Sequence, residues 1–201
     1  AGVSGKPGRR LARTGARTSL IESASFLGGT TTGGLVNPMM GWRVMRYPGQ
    51  AEQFIQTSRE PVTGGFPTEF MDRLKAAGGA WGPDNGELTT MIVTDPERVK
   101  TVMEEMLCEV GVDIWFLTQF IDAVVEDGTV VGVVVASEGS LHLLWCKSAV
   151  DASGDGDLAT RAGAQFQFGR PSDGKAQPVT IVYMLGGVDY ERFIDYLKQN
   201  P

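Results

Sequence analysis

Glu22 and the glycines that follow it are the residues of this sequence most suited to binding chemistry. A short apolar run, Thr18-Ser19-Leu20-Ile21, stops at that acid, and a loop with Gly28-Gly29, three threonines and Gly33-Gly34 comes next. Ala1-Gly2 stand about 20 residues earlier, the spacing of a glycine turn, helix, strand and acid in a dinucleotide-binding βαβ unit. In such a unit glycine lets the backbone approach a pyrophosphate, the helix N-terminus favours its charge, and the acid accepts hydrogen bonds from a ribose diol. Only the last Ala-Gly of a GxGxxG-type turn is present. The stretch alone therefore reads equally as a strand ending in a solvated glutamate before a flexible loop.

A second cluster, Ala152-Ser153-Gly154-Asp155-Gly156-Asp157, follows a run from Lys147 to Asp151 that reads as a strand. Small residues at the mouth of a sheet let the backbone crowd a ligand, and carboxylates can bond hydroxyls. An ordinary turn has the same composition, and the calcium-loop spacing is absent. His142, the single histidine, falls mid-strand with no nucleophile or acid beside it in sequence, so it is not read as a catalytic base. No triad is visible, no catalytic residue is assigned, and one imidazole does not make a metal site. Cys108 and Cys146 form neither a CxxC nor a disulfide framework. Met39, Met40, Trp42 and Met45 could line a pocket for a flat ligand, or fill a loosely packed core.

The elements that must position these residues follow from period and punctuation. Residues 3–14 should form the helix after the first turn, against the opposition of Gly5, Pro7 and Gly8. Residues 68–77 read as a helix with Phe70, Met71 and Leu74 inward, ended by Gly78-Gly79. A strand over 89–93 precedes the clearest helix, capped at Thr94 or Asp95 with Pro96 in its first turn. Its apolar stripe is Val99, Val102, Met103, Met106, Leu107 and Val110, with Gly111 as the stop and Cys108 a packed thiol beside it. Beyond it the period becomes two. A buried run over 112–116 leads to strands over 120–125, 130–136 and 141–146, joined at Asp127-Gly128 and Glu138-Gly139. The small helix after the second glycine turn spans 158–162.

A chain of 201 residues, 42% hydrophobic and 21% charged, can bury a core as a globular domain. Its net charge of −6 argues against a nucleic-acid partner. The basic residues among the first twenty are Lys6, Arg9, Arg10, Arg13 and Arg17, with no acid, so the remainder carries −11. An Arg-rich, acid-free start is also compatible with a transit segment. No apolar run approaches the ~18 residues of a membrane span. Cysteine usage fits a reducing, cytoplasmic setting.

Taken together, RTGARTSLIES (13–23), FLGGTTTGGLVNP (26–38), TEFMDRLKAAGG (68–79), TDPERVKTVMEEMLCEVGV (94–112), IDAVVEDGTVVGVVV (121–135) and AVDASGDGDLATRAGA (149–164) resemble one family. It is the FAD-dependent oxidoreductases of the two-dinucleotide-binding-domain flavoproteins, close to flavin subunits of the heterodisulfide reductase type. The resemblance implies an α/β, Rossmann-like FAD-binding fold whose parallel sheet is interrupted by an antiparallel β-meander. It implies an FAD domain over 1–165 and the start of a second, substrate domain over 166–201. It also implies roles. Gly2 approaches the pyrophosphate and Glu22 binds the adenosine ribose. Gly28, Gly29, Thr30 and Gly34 run along pyrophosphate and flavin. The backbone near Phe120 contacts adenine, and Ala152, Ser153, Gly154 and Asp155 close over the dinucleotide.

The resemblance departs at both ends. The first strand and the leading glycines are missing, and Gly5-Lys6-Pro7-Gly8-Arg9-Arg10 replaces an alanine-rich helix, as a short frame error would. Members also run on past residue 201, so an N-terminal fragment that binds FAD weakly or not at all is expected. The function implied is hydride or electron transfer between FAD and an unidentified small-molecule substrate. The alternatives are a flavin carrier for electron transfer within a larger redox complex, and a fragment without function. A redox partner protein, and an iron–sulfur cluster outside these residues, belong to the electron-transfer reading.

Overall fold

The computed structural model describes residues 12–40, 64–82 and 91–200. Of the helix expected over 3–14, only the end falls among them, with Ala12 and Arg13 helical. Strand β1 (Ser19–Ile21) lies parallel to β5 (Asp113–Trp115), with Leu20 opposite Ile114. Three short strands form an antiparallel sheet in the order β2 (Pro38–Met39), β4 (Ile92–Thr94), β3 (Ala80–Trp81). The expected meander is present as β6 (Gln119–Glu126), β7 (Thr129–Ser137) and β8 (Ser140–Trp145). Asp127-Gly128 and Glu138-Gly139 turn its hairpins, all four residues at positive φ. The mixed α/β class with a parallel pair and a meander is as expected.

Helix α1 (Phe66–Ala76) starts with proline in its first turn and ends where Gly78 takes φ 68°. Helix α2 (Pro96–Cys108) is capped by Asp95, whose carboxylate accepts the Glu97 N–H at 2.8 Å. Each helix buries one face. Phe70, Met71 and Leu74 of α1 join Val99, Val102, Met103, Met106 and Leu107 of α2, with Leu20, Leu27 and Ile92 beneath. Fully burying one such side chain contributes about 1.5–3 kcal/mol. Just beyond α1 the chain presses against α2 at Gly79, where an added Cβ would lie 2.4 Å from Cβ of Arg98.

Three expectations are corrected. Residues 147–151 are not a strand, because among the described residues they have no ladder partner. Cys108 is exposed rather than packed. At roughly 100° per residue it sits one step round the helix from Leu107, away from the core. Met40 is 73% exposed, so it lines neither core nor pocket, while Met39 packs against the core and Trp42 and Met45 lie outside the described residues. A last helix, α4 (Tyr190–Gln199), has no counterpart among the expected elements. Between residues 164 and 200 the chain buries nothing, and Val179 and Ile181 are almost wholly exposed.

Candidate functional site

Glu22 lies at the end of β1, where the backbone leaves the parallel pair. Its N–H donates to the Trp115 carbonyl at 2.9 Å and its carbonyl accepts the Thr118 N–H at 3.0 Å, so the strand exit is tied on both sides. The side chain is 4% exposed. Oε1 accepts the Ala24 N–H at 3.0 Å and the Ser23 hydroxyl at 3.4 Å. Oε2 is buried with no partner among the described residues. Leaving a buried acceptor unpaired costs about 1–3 kcal/mol, more for a charged group, so the position favours a donor from outside the chain.

The loop after Glu22 is built around two buried side chains, those of Leu27 and Thr32. The Thr32 hydroxyl donates to the Leu27 carbonyl at 2.8 Å, closing a single turn over Gly29–Thr31. Gly28 holds φ 109°, and a Cβ there would lie 2.4 Å from Thr32 Cγ2. Gly34 donates its N–H to the Gly29 carbonyl at 3.1 Å, and a Cβ on it would lie 2.7 Å from the Thr30 carbonyl oxygen. Both glycines are thus demanded by the loop's own geometry, before any ligand is considered. Thr30 is exposed at the tip. Phe26 closes the outer side, with the Lys100 ammonium of α2 4.0 Å from its ring centre.

The second glycine turn is assembled differently. Asp151 Oδ1 accepts the Ser153 N–H at 2.9 Å and its hydroxyl at 2.8 Å, while Oδ2 accepts the Ala159 N–H at 2.8 Å. The Ser153 oxygen in turn accepts the N–H groups of Gly156 at 2.9 Å and Asp157 at 3.0 Å. Burial pushes the Asp151 carboxyl up, but the Ala159, Ser153 and Leu158 donors outweigh it and hold the group below its ordinary value. Ala152 is half-buried, and Gly154 and Asp155 are exposed. Gly154 holds φ 92°, a conformation that favours glycine for backbone reasons alone. Asp151, not singled out in the sequence, is the residue that shapes this turn; a carboxylate two residues before a serine was its only signal.

The short helix α3 (Asp157–Arg161) lies against β6, and β6 carries Phe120, half-buried opposite Val135. Residues 115–118, bonded to the Glu22 segment, lead directly into that strand. The Glu22 segment is thus tied to the residues that enter β6, and α3 packs on the same strand. Gly2 lies outside the described residues.

A separate cleft of about 410 Å³ is lined by Asp113, Trp115, Thr118, Ser137, Glu138 and His142, and contains none of the expected site residues. His142 Nε2 lies 3.3 Å from the Ser137 carbonyl and its ring meets Trp115 edge-on. Among the described residues no carboxylate bonds this imidazole, no His/Cys/Asp/Glu group could hold a metal, and no helix is long and apolar enough to cross a membrane.

A family model described as FAD dependent oxidoreductase matches residues 8–201. No curated protein matches the sequence. Among solved structures the chain is similar to that of Thermovibrio ammonificans THI4, at 16% identity and a TM-score of 0.49. The match covers 80% of this chain and 57% of that one, so the chain spans less than two thirds of that protein's length.

Proposed function

The chain belongs to the FAD-dependent oxidoreductase family, and on that premise we propose that Glu22, the Gly28–Gly34 loop and the Ala152–Asp155 turn hold FAD for redox exchange with a small-molecule substrate. The motif runs around residues 94–112, 121–135 and 149–164 favour a place near flavin subunits of the heterodisulfide reductase type. Bound FAD would supply the hydride or electron chemistry, and the chain's own residues bind and orient it.

One observation carries the reading: the buried, unpartnered Glu22 Oε2 at the exit of a parallel strand, directly before a glycine loop. A vicinal diol offers the O–H donors this oxygen lacks. Gly28, Gly29, Thr30 and Gly34 then run along the pyrophosphate and flavin, and the backbone at Phe120 faces adenine. Ala152, Ser153, Gly154 and Asp155 close the other side, in a turn that Asp151 keeps in shape. Gly2 belongs to the pyrophosphate turn.

The test is a flavin-fluorescence titration of the 201-residue chain and of Glu22→Ala. The wild type is expected to bind FAD saturably and weakly. The variant should weaken it ~10- to 100-fold, from the loss of charge-assisted bonds worth roughly 1.5–3 kcal/mol. Equal affinity of the two proteins, or no binding by the wild type, rejects the assignment.

A further inference from the structure

Two side-chain polar atoms are buried without a partner among the described residues, Glu22 Oε2 and Asn37 Oδ1, and they bracket the glycine loop. The first is accounted for above. The second stands where the loop rejoins the sheet, and its surroundings hold it rigidly. The Asn37 carbonyl accepts both the N–H of Thr94 at 3.2 Å and its hydroxyl at 2.8 Å. Thr94 is itself buried at the end of β4. The Asn37 N–H donates at 2.9 Å to the carbonyl of Leu35, a residue itself held at φ 54°. Pro38 follows at once as the first residue of β2, paired with Val93, and restricts Asn37 to an extended backbone. The backbone of Asn37 is therefore engaged on both sides, while its side-chain carbonyl has no partner among the described residues.

Asparagine is a poor choice for such a place unless its amide is used. Leucine has nearly the same shape and would leave no unpaired acceptor behind. A carboxamide presents one acceptor and one donor side by side. The pyrimidine end of an isoalloxazine presents the complement, an imide N–H between two carbonyls. An ionised phosphate oxygen only accepts and offers no such matched pair. We propose that Asn37 binds the imide edge of the flavin, its Oδ1 accepting from the flavin N3–H, so that Glu22 and Asn37 hold opposite ends of one FAD across the glycine loop. The inference rests on the flavin reading above and extends it to the ring that carries the chemistry.

The experiment compares FAD with FAD methylated at flavin N3, which lacks that donor, against wild type, Asn37→Leu and Asn37→Asp. The wild type should prefer FAD over the methylated form about tenfold, the worth of one good hydrogen bond plus the cost of leaving its acceptor unpaired. In Asn37→Leu the preference should fall to about one, with the ligand-free melting temperature unchanged or raised. Asn37→Asp keeps the acceptor and should keep the preference. If Asn37→Leu does not fold, the aspartate variant decides: loss of its preference overturns the inference. A preference that survives in Asn37→Leu overturns it too, because methylation would then be sensed elsewhere, while FAD binding by wild type leaves the flavin reading standing. A wild type that binds neither form overturns both.

Discussion

The two glycine turns proposed to hold one cofactor are built in opposite ways. The first is built by packing. Leu27 is 1% and Thr32 2% exposed, the loop folds over them, and Gly28 and Gly34 are required because side chains there would collide with the chain itself. The second is built by polar bonds. It buries no side chain of its own helix, and one carboxylate, Asp151, with one hydroxyl, Ser153, gathers the N–H groups of Ser153, Gly156, Asp157 and Ala159. The packed turn leaves acceptors over on its flanks, at Glu22 and Asn37, whereas the polar turn uses its acceptors internally. A packed loop can spare polar groups for a ligand. A loop shaped by polar groups spends them on itself and offers mainly its backbone.

That contrast can be broken most forcefully at Gly28. Gly28→Val brings a branched side chain against Thr32 in a conformation that strains any non-glycine residue. Overpacking and strain together should destabilise the chain by about 2–6 kcal/mol in urea unfolding. A loss below about 1 kcal/mol would mean that the loop is not anchored through Thr32.

Asp151→Ala comes next. Removing charge-assisted bonds to the second turn should lower its local stability by roughly 2–3 kcal/mol, read as faster hydrogen exchange at the Ser153 and Ala159 amides. The packed loop around Leu27 should keep its protection. The same turn should also be acid-sensitive. The folded-state pKa of Asp151 lies below its ordinary value of 3.8, so its contribution is present above that value and is lost as pH falls through the folded pKa. Wild type should therefore lose its exchange advantage over Asp151→Asn below about pH 4. A gap that stays constant from neutral pH to acid would remove the carboxylate from this role.

The smallest effect concerns the outer brace of the packed loop. Lys100 over Phe26 should contribute about 0.5–1 kcal/mol, so Lys100→Ala should lower urea stability by that amount and Lys100→Arg should restore it. An equal loss in Glu97→Ala, with Phe26→Leu neutral, would assign the effect to the Lys100–Glu97 pair instead.

Residues 92–146 were the most readable, because their signals are local. An aspartate cap, a proline in the first turn and a one-sided apolar stripe define α2 with little reference to the rest of the chain. Asp127-Gly128 and Glu138-Gly139 set the hairpins for the same reason, since the turn itself dictates which residues face each other. Of the candidate site, the strand exit at Glu22 and the tight backbone at Gly28 and Gly34 were readable from residue type. The site was not readable at Asn37 or Asp151. An asparagine before a proline and an aspartate before a serine are everyday loop residues, and only their surroundings separate them from the rest.

Sequence alone was thus enough for the α/β class, the meander, α1 and α2, and the acid at the end of β1, because each depends on neighbours within a turn or two of chain. The tertiary structure decided what depends on partners far away in sequence. Residues 147–151 read as a strand in sequence, yet a strand exists only beside another, and Asp151 instead turns its carboxylate to the amides that follow. Cys108 has the burial tendency of its type, but the rotation of α2 against the core turns it to solvent. Burial without a partner, the property that marks Glu22 and Asn37, is a relation between an atom and everything around it. No residue type or spacing encodes that relation, so it emerges only when β1, β4 and β5 have met.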